Sequence, residues 1–268
     1  MAALDSSAVW GSDRETALFA DLVLASVNHV ATEPVIGMLP MIGRKYSRQL
    51  MVIGRAPNGW NRIGGWENGI EPSDLGDEER RWSFAQAIYR SVSETKSPAE
   101  CPMSWVTNQW SSKACYNSAR SAFWRVIRSV VARLNIADVD GPEWPSHLVW
   151  SNLYKIAPAQ GGNPHGELRR SQLAGCRTLL QWELETFRPE RILILSGWCH
   201  WAEPFLQMNL RDQAEPSGGR YVERTGRLNF CSEMADCVVA CHPQGKREAD
   251  WLAEVIAAFS GCDPRPGA

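Results

Sequence analysis

The sequence predicts an α/β fold, a three-layer αβα sandwich around a central, mostly parallel sheet of four strands. Three observations predict it. Four short apolar runs, at 50–53, 148–150, 191–195 and 237–240, read as strands buried on both faces. Stretches with helical periodicity alternate with them, which is the pattern of a parallel sheet covered by helices. The 268 residues are 44% hydrophobic and 22% charged, enough for one sizeable core, with no internal repeat or linker. A single domain over 1–268 is therefore expected, with an N-terminal helical extension to about residue 47.

The elements follow in order. Leu18, Leu22 and Ala25 recur at helical spacing behind Ser12-Asp13, a plausible cap pair, predicting a helix over 14–31. The run at 50–53 ends in Gly54 and is the first strand. Residues 55–76, rich in Gly, Asn, Pro and Trp, form a long loop of the kind that carries function. Helices follow over 77–92 and 114–134. The second sets Phe123, Val126, Ile127, Val130 and Leu134 on one face. Between them, 94–112, with Pro98, Pro102, Trp105 and Trp110, is an irregular insertion. A strand opens at 148–150, a loop spans 152–164, and a helix runs over 166–187. Pro189 punctuates it ahead of the strand at 191–195. A short helix near 198–209, a hairpin-like excursion over 211–234, the last strand at 237–240 and a final helix over 245–259 complete the chain.

Charge and composition restrict the function. With 28 basic and 30 acidic residues the net charge is −2, which excludes gripping nucleic acid mainly by bulk positive charge. Lys113, Arg120, Arg125 and Arg128 could form a local basic stripe or a solvated helix face. The 8 cysteines contain no Cys-x-x-Cys pair, so free thiols are expected and no metal site. Residues 1–5 have no basic start leading into a long apolar run, and no run reaches 18 apolar residues, so neither a secretory leader nor a membrane span is expected, and the location reads as cytoplasmic. Tryptophan is abundant, at 13 residues. Trp124, Trp182 and Trp251 fall in helices and read as core. Trp60, Trp66, Trp105 and Trp110 fall in irregular segments and are candidates for stacking on flat ligands.

In sheets of this kind ligands bind beyond the carboxyl ends of the strands. Three strand ends carry polar, proline-stiffened loops: Gly54-Arg55-Ala56-Pro57-Asn58-Gly59-Trp60-Asn61-Arg62-Ile63-Gly64, then Ser151-Asn152 leading through Pro158 to Gly162-Asn163-Pro164, then Cys241-His242-Pro243-Gln244-Gly245-Lys246-Arg247. This ordered set resembles the uracil-DNA glycosylase superfamily over roughly residues 48–255. The Gly-x-x-Pro loop, the Asn with its Pro-containing loop, the helix with Glu167 and Cys176, Pro189 before the strand reaching Gly197, and His242-Pro243 match its motifs in order. The first loop looks most like the branch called UDG-B.

The resemblance implies a monofunctional DNA glycosylase with a uracil-DNA glycosylase-like fold, needing no cofactor and acting as a monomer on a nucleotide flipped from DNA. His242 would stabilise the leaving base, or simply close a turn. Asn152 would read a base edge with its amide, or open an Asx-turn. The first motif has Arg55 and Ala56 where several branches place a water-positioning acid or amide. Glu67, or Asn61, would take that part, with Glu67 equally readable as a solvated acid. Ala56, Pro57, Asn58, Gly59, Trp60 and Trp66 would surround the base. The small Asn58-Gly59 pair leaves room for a large 5-substituent, so a modified pyrimidine such as glucosylated hydroxymethylcytosine, a target for phage defence, fits beside uracil. Arg55, Arg62, Gln244, Gly245, Lys246 and Arg247 would hold DNA phosphates. Two rivals remain. A catalytically silent DNA-binding module would explain the missing acid in the first loop. A hydrolase of free nucleosides would explain the near-neutral charge.

Overall fold

The computed structural model describes residues 13–27, 33–58, 68–93, 100–113, 116–207, 210–214 and 219–261. In chain order the elements are α1 (Asp13–Val27), β1 (Val35–Gly37), β2 (Met41–Ile42), β3 (Met51–Gly54), α2 (Glu78–Ser93), α3 (Trp105–Asn108), α4 (Ala122–Arg133), β4 (Val149–Asn152), β5 (Ile156–Pro158), α5 (Gly166–Phe187), β6 (Arg191–Ile194), α6 (Glu203–Leu206), β7 (Leu210–Ala214), β8 (Val222–Phe230), β9 (Glu233–Ala240) and α7 (Glu248–Gly261). They fall into two compact units. One comprises Met1–Met41, Arg55–Lys96 and Ser151–Glu183, the other Ile42–Gly54, Ser97–Trp150 and Leu184–Ala268.

In the first unit β1 pairs antiparallel with β5, Val35 opposite Pro158 and Gly37 opposite Ile156. β1 lies in the stretch read from the sequence as a helical extension, and so does β2. α1 buries Phe19, Leu22 and Val23, none more than 1% exposed. Each such side chain contributes about 2 kcal/mol on burial. Phe19 meets Phe84 of α2, ring centroids 6.3 Å apart. It also lies over Gly37, where a Cβ would stand 2.3 Å from the ring, so β1 accepts the aromatic only because position 37 has no side chain. Leu22 rests in the same way on Gly175 of α5, 2.8 Å from where a Cβ would be.

The other unit is built on the sheet, whose strand order is β2-β4-β3-β6-β9-β8-β7. β3, β6 and β9 are parallel, with Ile53 beside Ile194 and Ile194 beside Val239. β4 follows β3 in the same direction. Val149 N donates to Leu50 O and, five residues on in each segment and just past both strands, Tyr154 N donates to Arg55 O. The four apolar runs are thus neighbours, and every residue of β3 and the run 237–240 is buried, as strands flanked on both sides require.

The chain is mixed α/β with parallel central strands, but the sheet has seven strands, not four. β7 and β8 add an antiparallel extension beside β9. β8 alternates buried and half-exposed residues from Gly226 to Phe230, the mark of one wet face, and the register shift at Val222–Arg224 with the glycine at a buried position breaks its apolar pattern in sequence. β2 has two residues, too few to leave a period.

α4 and α7 are shorter than predicted. α4 begins at Ala122 and not near 114, because Asn117 Oδ1 accepts from Arg120 N to close a 3-10 turn and Ser121 is extended. α4 buries Trp124, Val126, Ile127, Val130 and Val131, so Trp124 and Val131 take the places expected of Phe123 and Leu134. α7 begins at Glu248 and not at 245, because Gly245 turns the chain with φ +73° and Lys246 N donates back to Pro243 O.

Candidate functional site

The first unit holds two of the three motif loops. Arg55 is half-buried and its carbonyl accepts from Tyr154 N at 2.9 Å, Pro57 is buried and Asn58 is exposed. Asn58 Oδ1 accepts from Gly162 N at 2.8 Å. Gly161 and Gly162 have φ +97° and +93°, which lets this backbone turn its N–H toward Asn58. The Gly-x-x-Pro loop and the loop after Asn152 are therefore clasped by one side chain-to-backbone bond. Asn58, expected beside a base, is used at least in part as that clasp. Asn152 is 3% exposed and its Nδ2 donates to Met38 Sδ at 3.1 Å. Among the other residues expected here, Gly59, Trp60, Asn61, Arg62, Trp66 and Glu67 lie outside the described residues.

Behind this loop is a polar cluster that sequence reasoning missed. The Lys155 ammonium, fully buried, donates to Ser151 Oγ at 2.7 Å and to Asn152 O at 2.6 Å, and pairs with Glu183 Oε1 at 2.5 Å. Ser151 Oγ donates to Glu183 Oε2 at 2.7 Å. Gln172 Oε1 accepts from the N–H groups of Lys155 and Ile156, while its Nε2 donates to Ile156 O. These bonds fix the backbone immediately after Asn152. The signal was a lysine inside an otherwise apolar run, Leu153 to Pro158. Cys176, wholly buried against Gln172, has its thiol pushed up to about 12 by burial and is inert.

The second unit holds His242, two residues past the end of β9. The ring is half-buried, and its Nδ1 accepts from Gln244 N at 3.3 Å. In the neutral ring Nε2 then carries the proton and is a donor. The imidazole stacks on Phe123 of α4, centroids 6.3 Å apart and planes 22° from parallel. Phe123 in turn meets Trp124 at 5.2 Å and Trp150 at 6.3 Å. Trp105 packs on Trp124 and Trp150, and Trp110 on Trp144. His242 is thus part of a continuous aromatic wall. Trp105 and Trp110, expected as candidates for ligand stacking, are built into that wall.

The turn after His242 is anchored from behind. Trp251 of α7 donates through Nε1 to Cys241 O at 2.9 Å, and Cys241 N donates to Tyr221 O at 2.8 Å. Gln244, Gly245, Lys246 and Arg247 are all exposed at the start of α7, and Arg247 pairs with Asp250 at 3.2 Å. The basic stripe is thinner than its sequence. Arg125 is held by Glu248 and by Ala119 O, and Arg128 by Val139 O and Asp140, with its guanidinium over Trp110. Lys113 and Arg120 are exposed.

Among the described residues no group of three His, Cys, Asp or Glu side chains could hold a metal ion, and no helix is long and apolar enough to cross a membrane. No protein-family model matches the chain, and no curated protein matches it.

Proposed function

We propose that the protein is a monofunctional DNA glycosylase of the uracil-DNA glycosylase type. It would take a flipped pyrimidine, either uracil or one with a large 5-substituent such as glucosylated hydroxymethylcytosine. The observation that carries the reading is the setting of His242. It is the first polar side chain beyond the carboxyl end of a central parallel strand, held by its Nδ1 in a proline-stiffened turn and backed by an aromatic stack. The order of the strand-end motifs supports the same reading.

In this chemistry water adds to the sugar carbon as the bond to the base breaks, and the base leaves with the electron pair. The Nε2–H of His242 would hydrogen-bond the base oxygen as negative charge grows there. Asn152 would read the base edge, and Glu67 or Asn61 would orient the water. The exposed run from Gln244 to Arg247 would meet phosphates. With such a near-neutral chain, shape and stacking would contribute more to affinity than bulk charge.

The test is to incubate the protein with duplexes carrying uracil, hydroxymethylcytosine or glucosylated hydroxymethylcytosine and to cleave abasic sites with alkali. Strand scission on at least one duplex is expected. His242→Ala should lower turnover about 100-fold or more, on the scale of a lost transition-state donor. Wild-type turnover in folded His242→Ala, Asn152→Ala and Glu67→Gln would discard the site. DNA affinity without scission would favour the silent module, for which the absence of an acid in Gly54-Arg55-Ala56-Pro57 argues. Turnover of free nucleosides alone would favour the third reading.

A further inference from the structure

Glu15, in the first turn of α1, is 5% exposed, and its Oε1 makes no hydrogen bond. The charged groups acting on it are Glu183 of α5 and Lys155 of the segment before β5. Lys155 donates to Ser151 Oγ and Asn152 O, and its charge is paired with Glu183 Oε1 at 2.5 Å. Glu183 Oε2 is already occupied by the Ser151 hydroxyl. The cluster therefore contains one cation and two carboxyl groups, and the cation is committed to Glu183. A second bare carboxylate there would be buried without a counter-charge.

Among the described residues, the other elements against α1 add no charge to the two that act on Glu15. α2 meets α1 through Phe84 and β1 through Gly37. The 3-10 turn Pro72–Gly76 carries Asp74, which pairs with Arg80 of α2, while Arg81 donates to Leu75 O.

We propose that docking of α1 is linked to one proton on Glu15, so that the helix is held most tightly in mild acid and loosens as the solution turns alkaline. Burial first, then the neighbouring Glu183 charge, pushes the docked carboxyl up to about 8 against the pull of Lys155, whereas a solvated one titrates near 4.5. Below 4.5 both forms carry the proton and docking is insensitive to pH. Between the two values the undocked helix gives up the proton and the docked one keeps it. The opening constant then rises roughly tenfold per pH unit and levels off above about pH 8. Opening uncovers Phe19, Leu22 and Val23 and lets water reach Lys155 and Ser151. α1 is thus a proton-sensitive strap over the first unit.

Native-state hydrogen exchange on the full chain between pH 5 and 9, corrected for the intrinsic rate at each pH, tests this. Protection of α1 amides should fall about tenfold per unit up to near pH 8 and then plateau, with no matching loss in β6. Glu15→Gln should hold α1 protection constant within about threefold over the same range. Should that variant fail to fold, the wild-type profile alone decides. Flat wild-type protection, an equal loss in β6, or a Glu15→Gln variant that keeps the wild-type slope would each overturn the proposal.

Discussion

Replacing Lys155 with methionine removes the cation from a site where Glu183 is 0% exposed, accepts from Ser151 and is ion-paired with Lys155. The stranded carboxylate has a cheaper alternative than staying charged, which is to take a proton. For a carboxyl of ordinary value 4.5, protonation at pH 7 costs at most about 3.4 kcal/mol, at about 1.4 kcal/mol per pH unit, and the wild type already bears part of it because burial holds Glu183 above the ordinary value. The lost hydrogen bonds to Ser151 and the Asn152 carbonyl add about 1 kcal/mol. The expected loss at pH 7 is therefore at most about 4 kcal/mol, within the range for breaking a buried pair from one side. At pH 5 the protonation cost falls below about 1 kcal/mol, so most of the loss should vanish. Removing both charges, as Lys155→Met with Glu183→Leu, leaves no stranded ion and should recover all but about 1 kcal/mol. Urea unfolding of the wild type and both variants at pH 5 and pH 7 measures this. A single variant that loses less than about 1 kcal/mol at pH 7, or as much at pH 5 as at pH 7, would refute the electrostatic account of the cluster.

Two further predictions concern the second unit. Glu254 Oε2 accepts from the N–H groups of Arg220, Tyr221 and Val222 at 3.0, 2.7 and 3.1 Å, pinning α7 to the start of β8. Glu254→Ala should cost about 2 kcal/mol and Glu254→Gln about half that, read from urea midpoints. Cys231 sits in the two-residue turn between β8 and β9 at φ +50°, a region costly to a residue with a Cβ, so Cys231→Gly should raise stability by about 0.5–1 kcal/mol. A lower thermal midpoint for that variant would contradict the turn assignment.

Buried strands and long helices were legible because each is written in consecutive residues. The run 191–195 and the helix 166–187 correspond to β6 and α5 almost without adjustment. The antiparallel extension was half legible, as a polar hairpin whose membership in the sheet no local pattern reveals. The motif loops could be located, yet their internal bonding could not. Nothing local says that Asn58 reaches a glycine 104 positions later, or that Asn152 lies against Met38. Tryptophan abundance pointed equally to stacking on ligands and to packing. Trp105 and Trp110 prove to be packed, because α3 and α4 bring them against Trp124 and Trp144.

The sequence by itself determined the four central strands, that they run parallel, and where the candidate chemistry stands relative to their ends. These follow from hydrophobic period and proline placement, which act over a few residues. Only the tertiary structure decided that Lys155, Ser151, Glu183 and Glu15 share one buried site, and that His242 joins an aromatic wall. Side chains from three separate segments set the charge balance around Lys155, and a chain read in order carries no record of which distant groups exclude water from one another.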